Sequence, residues 1–288
     1  MLYREFTPSP RLRAFVDRLW VLEMPAGVAA VDPVLPDGHG EVIVHCGDPF
    51  RELMPDGRLR MQGRLLVAGQ FQRAVRLSPS GASLMVGARL LPHGAAALFR
   101  IAQHELAHRI IDLETLDPRL ARRLTDDVMP RLDPDALASA LDAALAAMAD
   151  TARADLLAGH AASFARDRRG LVRVDALARH VGLTERQLQR LFLRDIGLSP
   201  KQFLRTIRFQ EVLRQLQDGA PTRWADLAQR FGFYDQAHFI RDFKAFTGET
   251  PSQWHFEDGS LTAIFAGRTE AVGEGRRFAE RDGATLEE

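Results

Sequence analysis

The sequence predicts an α+β protein in which a small β-barrel or β-sandwich and a helical connector precede an all-α domain of two helix-turn-helix units joined by a long helix. Short apolar runs separated by Gly, Pro and Asp fill the chain to about residue 91, and Ala- and Leu-rich stretches with almost no glycine follow from residue 94. From residue 171 the pattern becomes a series of short helices joined by tight turns. With 288 residues, 46% of them hydrophobic, the chain can bury more than one core.

Four apolar runs predict strands in the first part of the chain. Turn signals such as Pro36-Asp37-Gly38 and Pro55-Asp56-Gly57 separate them at the spacing of a small barrel or sandwich. A short helix over residues 10–20 is expected to pack on these strands. The predicted strands cover residues 41–46, 64–69, 74–79 and 83–91.

The helical connector carries an apolar stripe of Leu137, Leu141, Leu145 and Met148 at helical spacing. Such a stripe is more often core than a dimer interface, and both interpretations stay open, so a homodimer is one possible state. We expect a sensor-like β-rich domain over 1–110, the connector over 111–163, the two helix-turn-helix units over 164–256 and a mobile or loosely docked tail over 257–288.

Charge and cysteine content limit the class of protein. The chain has 38 basic and 38 acidic residues, but residues 164–256 hold 16 basic against 10 acidic, so one segment is locally basic. The single cysteine, Cys46, predicts a reducing compartment. No signal peptide or bilayer-length apolar stretch is present in the sequence, which predicts a cytoplasmic protein without a membrane partner. Phosphate loops and nucleophile motifs are also missing from it, so we expect no enzyme and no cofactor.

The first helix-turn-helix unit spans residues 174–197. Gly182 permits a sharp turn, and Thr184 is placed to cap a second helix with Gln187 three residues later, as in a capping box. The face opposite the apolar residues then exposes long polar side chains. They are Arg186, Gln187, Gln189, Arg190 and Arg194. Arginine and glutamine are the residue types that bind guanine and adenine edges through two hydrogen bonds.

The second unit, residues 223–248, repeats this arrangement with Gly232 in the turn and Asp235 as the cap. Its outward residues are Gln236, His238, Arg241, Asp242 and Lys244. A helix of about 18 residues, about 27 Å long, connects the units. If both second helices enter the major groove from one side of the DNA, they lie about 34 Å apart. The alternative, that both faces are merely solvated, is less favoured because the pattern occurs twice.

The segments LTERQLQRLFLRDIGLSPKQFLRTIR (183–208) and GFYDQAHFIRDFKAFTGETPSQW (232–254) resemble the AraC/XylS family of bacterial transcription regulators. The resemblance covers about a third of the chain. It implies an activator or repressor that binds double-stranded promoter DNA, with RNA polymerase as a further partner. It places base-facing side chains at Arg186, Gln189, Arg190, Gln236, Ala237, Ile240 and Arg241, with Thr184 and Gln187 near the DNA backbone or base edges. The short or apolar Ala237 and Ile240 suit thymine methyl groups, or a second helix that mainly contacts phosphates.

Parts of the first domain (35–45, 67–81 and 86–99) are similar to the β-rich, cupin-like sensor domain of some family members, which implies a small-molecule effector. His39, Glu41 and His45 occupy odd positions of one predicted strand and so point to one face. Together with Trp20 and Arg89 they form our candidate effector site. The alternative, which we favour, is that these residues form the solvent-exposed face of a half-buried strand and bind no ligand.

An H-E-x-x-H motif lies at His104, Glu105 and His108, where two histidines and a glutamate suit a catalytic zinc ion. A third protein ligand is needed, and neither Asp112 nor Glu114 gives the usual continuation. We favour a surface or interdomain role for the motif. The alternative function is a zinc-dependent enzyme or metal-binding module attached to a helical interaction domain.

Overall fold

The computed structural model describes residues 2–27, 31–152, 156–217, 223–255 and 261–262. The α+β class is confirmed: strands dominate up to residue 90 and helices follow. In these residues the strands form two open sheets, so the sandwich alternative is correct and the barrel alternative is wrong. None of the helices in the described ranges is both long enough and apolar enough to span a bilayer.

The larger sheet has six antiparallel strands in the spatial order β1-β2-β9-β4-β7-β10. Their bounds are Leu2–Phe6 (β1), Val16–Met24 (β2), Gly40–His45 (β4), Leu65–Ala68 (β7), Ser83–Leu90 (β9) and Ile110–Asp112 (β10). The smaller sheet has the order β3-β8-β5-β6, with Asp32–Val34 (β3), Phe50–Leu53 (β5), Leu59–Met61 (β6) and Val75–Pro79 (β8). All four predicted apolar runs lie in strands.

The long strand β2 contradicts the helix predicted over residues 10–20, since only a turn at 10–15 precedes it. Both faces of β2 are buried. Leu19 and Val21 face the core that the helices cover, whereas Trp20 and Leu22 face the smaller sheet. A strand buried on both sides has a continuous apolar run, which periodicity alone does not distinguish from a buried helix.

Six helical segments connect the sheets to the carboxy-terminal half: α1 (Gly94–Phe99), a 3₁₀ turn (Gln103–Glu105), α2 (Leu113–Leu116), α3 (Pro118–Asp127), α4 (Pro134–Ala149) and α5 (Leu156–Asp167). Leu137, Leu141 and Leu145 of the predicted stripe are fully buried against β2 and β9. The core interpretation of that stripe is confirmed, and α4 forms an outer layer on the larger sheet.

The carboxy-terminal half contains α6 (Val174–His180), α7 (Glu185–Asp195), α8 (Pro200–Gln217), α9 (Trp224–Arg230) and α10 (Gln236–Thr247). The first unit packs α5, α6 and α7 around Phe192 and Phe203, and the second packs α9 and α10 around Phe239 and Phe243. Helix α8 contributes to both cores and is 18 residues long, as predicted. The two units are therefore built on one continuous helix.

Candidate nucleic-acid interface

Helix α7 begins at the predicted capping box. The Thr184 hydroxyl accepts a hydrogen bond from the Gln187 backbone N–H, and the Gln187 side chain accepts one from the Thr184 backbone N–H. Gly182, with φ of 69°, makes the turn before it in a conformation that glycine adopts without strain. A cap of this kind contributes about 1 kcal/mol and fixes where the recognition helix starts.

Helix α10 begins in the same way. Asp235 is extended, and its Oδ1 accepts a hydrogen bond of 2.7 Å from the His238 backbone N–H. Gly232 makes the turn with φ of 66°. The two units thus share a glycine turn and a side-chain cap. In both, the residues at the amino end of the second helix are exposed.

The predicted DNA-facing residues lie mainly on the surface. Those that are exposed are Thr184, Arg186, Gln187, Gln189, Arg190, Arg194, Gln236, Ala237 and Arg241. His238 and Ile240 are half-buried, and Ile240 packs against the core of the second unit. The second helix therefore presents a narrower polar face than the first.

Charge pairing separates the exposed arginines into two groups. Arg194 donates two hydrogen bonds of 2.6 Å to the Asp195 carboxylate on its own helix. For Arg186, Arg190 and Arg241, no ion pair with any described residue is found, so these guanidinium groups are available to a DNA molecule. The recognition surface thus retains its positive charge where the helices are most exposed.

Two residues near the second recognition helix had no role in the sequence prediction. Arg205 of α8 donates a hydrogen bond of 2.8 Å to Asp242 of α10, which neutralises a carboxylate on the helix expected to face phosphates. Tyr234 is 92% exposed directly before the Asp235 cap, beside Gln236. The signal for Tyr234 was a second aromatic residue, next to Phe233, in the turn before the cap, whereas Arg205 had no local signal because its partner is 37 residues away.

The β3–β4 loop, residues 35–39, contacts both helix-turn-helix units. Leu35 is buried in the core of the second unit, and the Gln210 amide donates to the Pro36 carbonyl at 2.5 Å. Gly38, with φ of +79°, lies so close to Phe203 and Ile207 that a Cβ there would be 3.2 to 3.3 Å from their side chains. One loop of the first domain therefore fixes both units along α8.

His39 at the end of this loop joins the two halves of the protein. Its Nδ1 is 2.7 Å from the Leu90 carbonyl and its Nε2 is 2.8 Å from Arg166 of α5. A neutral ring with its proton on Nδ1 donates to the carbonyl and accepts from the arginine. Burial, and then Arg89 and Arg166, lower the pKa of His39 well below its usual value. Burial also lowers the pKa of Arg166 to about 10, which leaves it charged at neutral pH.

The candidate effector residues are positioned mainly by the larger sheet. Register places Arg89 opposite Glu41 and Gly87 opposite Trp20, and a Cβ at Gly87 would overlap the Trp20 ring. These side chains belong to the face that meets the smaller sheet. His45, which is 1% exposed and lies against Phe50, is on the same face as Trp20, Glu41 and Arg89. The His39 ring instead reaches α5.

Both histidines of the candidate effector site are buried, so the solvated-face interpretation of this strand is wrong. Arg89 is 6% exposed and forms an ion pair of 2.8 Å with Asp37 and a longer one of 3.7 Å with Asp17. An arginine held in this way anchors the β3–β4 loop at Asp37. Binding of an effector by these residues stays a prediction.

The H-E-x-x-H segment does not form the helix that a zinc site of this type needs. His104 and Glu105 lie in a single 3₁₀ turn, and His108 has a left-handed backbone with φ of 62°. The His108 backbone N–H donates to the Gln70 carbonyl, which ties the segment to the sheet. Within the described residues, no group of three or more His, Cys, Asp or Glu side chains is placed to hold a metal. The zinc-enzyme alternative is therefore unsupported.

Comparison with known proteins agrees with this organisation. Residues 177–255 match the family profile of a helix-turn-helix domain, and residues 4–112 match that of a domain of unknown function (DUF6597). The HTH-type transcriptional activator AarP of Providencia stuartii is 32% identical over 85 residues, which are 30% of this chain and 62% of AarP. The probable thc operon regulatory protein of Rhodococcus erythropolis is 34% identical over 82 residues, which are 28% of this chain and 25% of that protein. The match spans less than two thirds of either relative.

Among solved structures, fatty-acid-bound ToxT from Vibrio cholerae is 12% identical, with a TM-score of 0.41, over 81% of this chain and 92% of ToxT. The glycine turns, the caps and the profile match define a helix-turn-helix protein of the DNA-binding class. More specifically, residues 177–255 form a helix-turn-helix domain of the AraC/XylS type, the part of the chain that is similar to AarP. The family resemblance of residues 183–254 is confirmed.

Proposed function

We propose that this protein is a sequence-specific DNA-binding transcription regulator that acts at promoters in the bacterial cytoplasm, and that it is not an enzyme. The observation that carries the proposal is the pair of capped recognition helices, α7 and α10, which expose arginines without ion pairs in the described residues and share α8 as a common support. Arginine in this setting reads guanine through two hydrogen bonds or binds phosphates.

The first helix is the stronger candidate for reading sequence. Arg186, Gln189 and Arg190 are exposed at helical spacing on α7, whereas Ala237 and the half-buried Ile240 occupy the places on α10 that correspond to Arg186 and Gln189. We assign direct base contacts to α7, and phosphate and thymine-methyl contacts to α10. Tyr234 at the amino end of α10 adds an exposed hydroxyl and ring beside those contacts.

The domain division and the remaining partners are part of the same proposal. We propose a sensor-like domain over 1–110, a connector over 111–163 and a DNA-binding domain over 164–256. A small-molecule effector would bind near Trp20, His39, Glu41, His45 and Arg89. The β3–β4 loop supports this coupling, because it contains Asp37, the ion-pair partner of Arg89, and contacts both helix-turn-helix units. RNA polymerase and a second copy of the chain are the proposed protein partners.

Salt dependence tests whether binding depends on the basic surface. Neutralising about six phosphates should make affinity fall about 10³-fold between about 50 and 200 mM salt, because binding releases counterions. The measurement is a titration of purified protein against promoter fragments selected by genome-wide mapping of bound DNA. Affinity that is independent of salt, or the absence of any enriched promoter, would contradict the proposal.

A further inference from the structure

Leu261 lies in the apolar layer between the two sheets. It is 1% exposed and packs in a cluster with Tyr3, Trp20, Phe50 and Met85. This leucine follows the DNA-binding domain and lies outside residues 4–112, the range that matches the first domain as a family. A residue from the far end of the chain therefore completes the core of the first domain.

Polar contacts hold the same segment against β3. The Leu261 backbone N–H donates a hydrogen bond of 3.1 Å to Asp32 Oδ2, and the Thr262 hydroxyl donates one to the Pro33 carbonyl. The docked residues thus supply one apolar side chain and two donors. The first domain supplies apolar walls, a carboxylate and a carbonyl oxygen.

A cavity of about 220 Å³ adjoins this contact. Asp32 and Arg76 of the smaller sheet line it together with Glu249, Trp254 and Thr262. The Arg76–Glu249 ion pair, 3.7 Å long, joins β8 to the segment after α10 beside this cavity. Thr262 therefore lies at a cavity between the smaller sheet and the segment that follows α10.

We propose that the space occupied by Leu261 and Thr262 is a binding site for a small amine with an apolar tail, and that these two residues are its intramolecular occupant. The tail of the ligand replaces the Leu261 side chain between Trp20 and Phe50, and its amine replaces the two donors at Asp32 and Pro33. Carboxylic acids are disfavoured because the two groups that Leu261 and Thr262 contact are both hydrogen-bond acceptors, one of them an anion, and because Arg76 in the adjoining cavity is paired with Glu249. The site is therefore expected to bind cationic amines in preference to carboxylates.

Competition with the occupant gives the proposal a measurable consequence. A ligand that binds only the open form has its affinity reduced by the fraction of open molecules. In the full-length chain, Leu261→Ala is therefore expected to bind n-hexylamine about tenfold more tightly than the wild type, as measured by calorimetry. The matched control is Leu132→Ala, because Leu132 is 76% exposed and its loss should leave the affinity unchanged.

Matched probes test the ligand class. When Asp32→Ala is added to Leu261→Ala, the double variant should lose the tenfold gain in hexylamine affinity. Hexanoate should bind the wild type and each variant more weakly than hexylamine does. Leu261→Ala without tighter hexylamine binding would make Leu261 an ordinary core residue and overturn the proposal. Tighter binding of hexanoate than of hexylamine would overturn the assigned chemistry.

Hydrogen exchange covers the case in which Leu261→Ala fails to fold. In the wild type the Leu261 amide should exchange about 100-fold or more faster than the Val86 amide at the centre of β9, because the occupant opens locally while the sheet does not. Added hexylamine should speed exchange at Leu261 and not at Val86. Equal protection of both amides would refute a displaceable occupant. These measurements need no DNA, so their failure leaves the proposed DNA binding intact. The amine site deepens the proposed sensor role of the first domain, and that role is tested separately by promoter binding.

Discussion

Replacing Arg190 by alanine should weaken specific DNA binding about 5- to 150-fold, or about 1 to 3 kcal/mol, if the guanidinium reads a base edge. Arg190 is exposed on α7 and forms no ion pair with a described residue, so no internal partner has to be given up when it meets a base. Titration of labelled promoter DNA, with a fragment altered at one base pair at a time, measures both affinity and discrimination.

Two further variants separate base reading from simple charge. Arg190→Lys keeps the charge but loses the planar pair of donors, so it should lose discrimination at one base pair while retaining phosphate attraction. Arg119→Ala removes an exposed arginine from α3, away from both recognition helices, and should leave binding near the wild-type level. If Arg190→Ala weakens all fragments equally, a phosphate contact replaces the base contact in our proposal.

Acidification should destabilise the protein through its buried histidines. Burial, opposed by a Gln62 hydrogen bond and reinforced by Arg64, lowers the pKa of His45 from 6.5 to about 4. Above pH 6.5 the ring is neutral in both the folded and unfolded states. Below it the unfolded state takes up the proton first, so the free energy of unfolding decreases as the pH falls from 6.5 to 4. This one group accounts for about 3 kcal/mol, and His39 acts in the same direction.

Denaturant unfolding at several pH values measures this loss. His45→Met should flatten the decrease between pH 6.5 and 4, because methionine fills similar space beside Phe50 and does not titrate. His104→Met, at an exposed position, is the matched control and should follow the wild-type curve. Parallel curves for His45→Met and wild type would contradict the role of this buried ring.

Local sequence signals predicted the recognition helices well. The Thr184–Gln187 box and the Asp235 cap involve residues three positions apart, and Gly182 and Gly232 mark turns that need a left-handed backbone. Such interactions are encoded within one turn of chain, so they were available before any tertiary contact was known.

The first domain was predicted less completely because its elements depend on distant partners. Residues 95–113 have helical composition, yet the helix ends at Phe99, Arg100 is left-handed, and Ile110–Asp112 pairs with β7. The Arg166–His39 contact joins residues 127 positions apart. Alternation of side chains placed Glu41 and His45 on one face correctly, but it could not show that His39 turns toward α5.

Leu35 has a consequence for how this protein can be divided. Its side chain belongs to the same buried cluster as Phe209 and Phe246, although it is supplied by the first domain. A fragment that begins at residue 164 would expose these stacked rings to water and invite aggregation. Chimeras that graft this DNA-binding domain onto a foreign sensor will therefore need an apolar side chain in the place of that leucine.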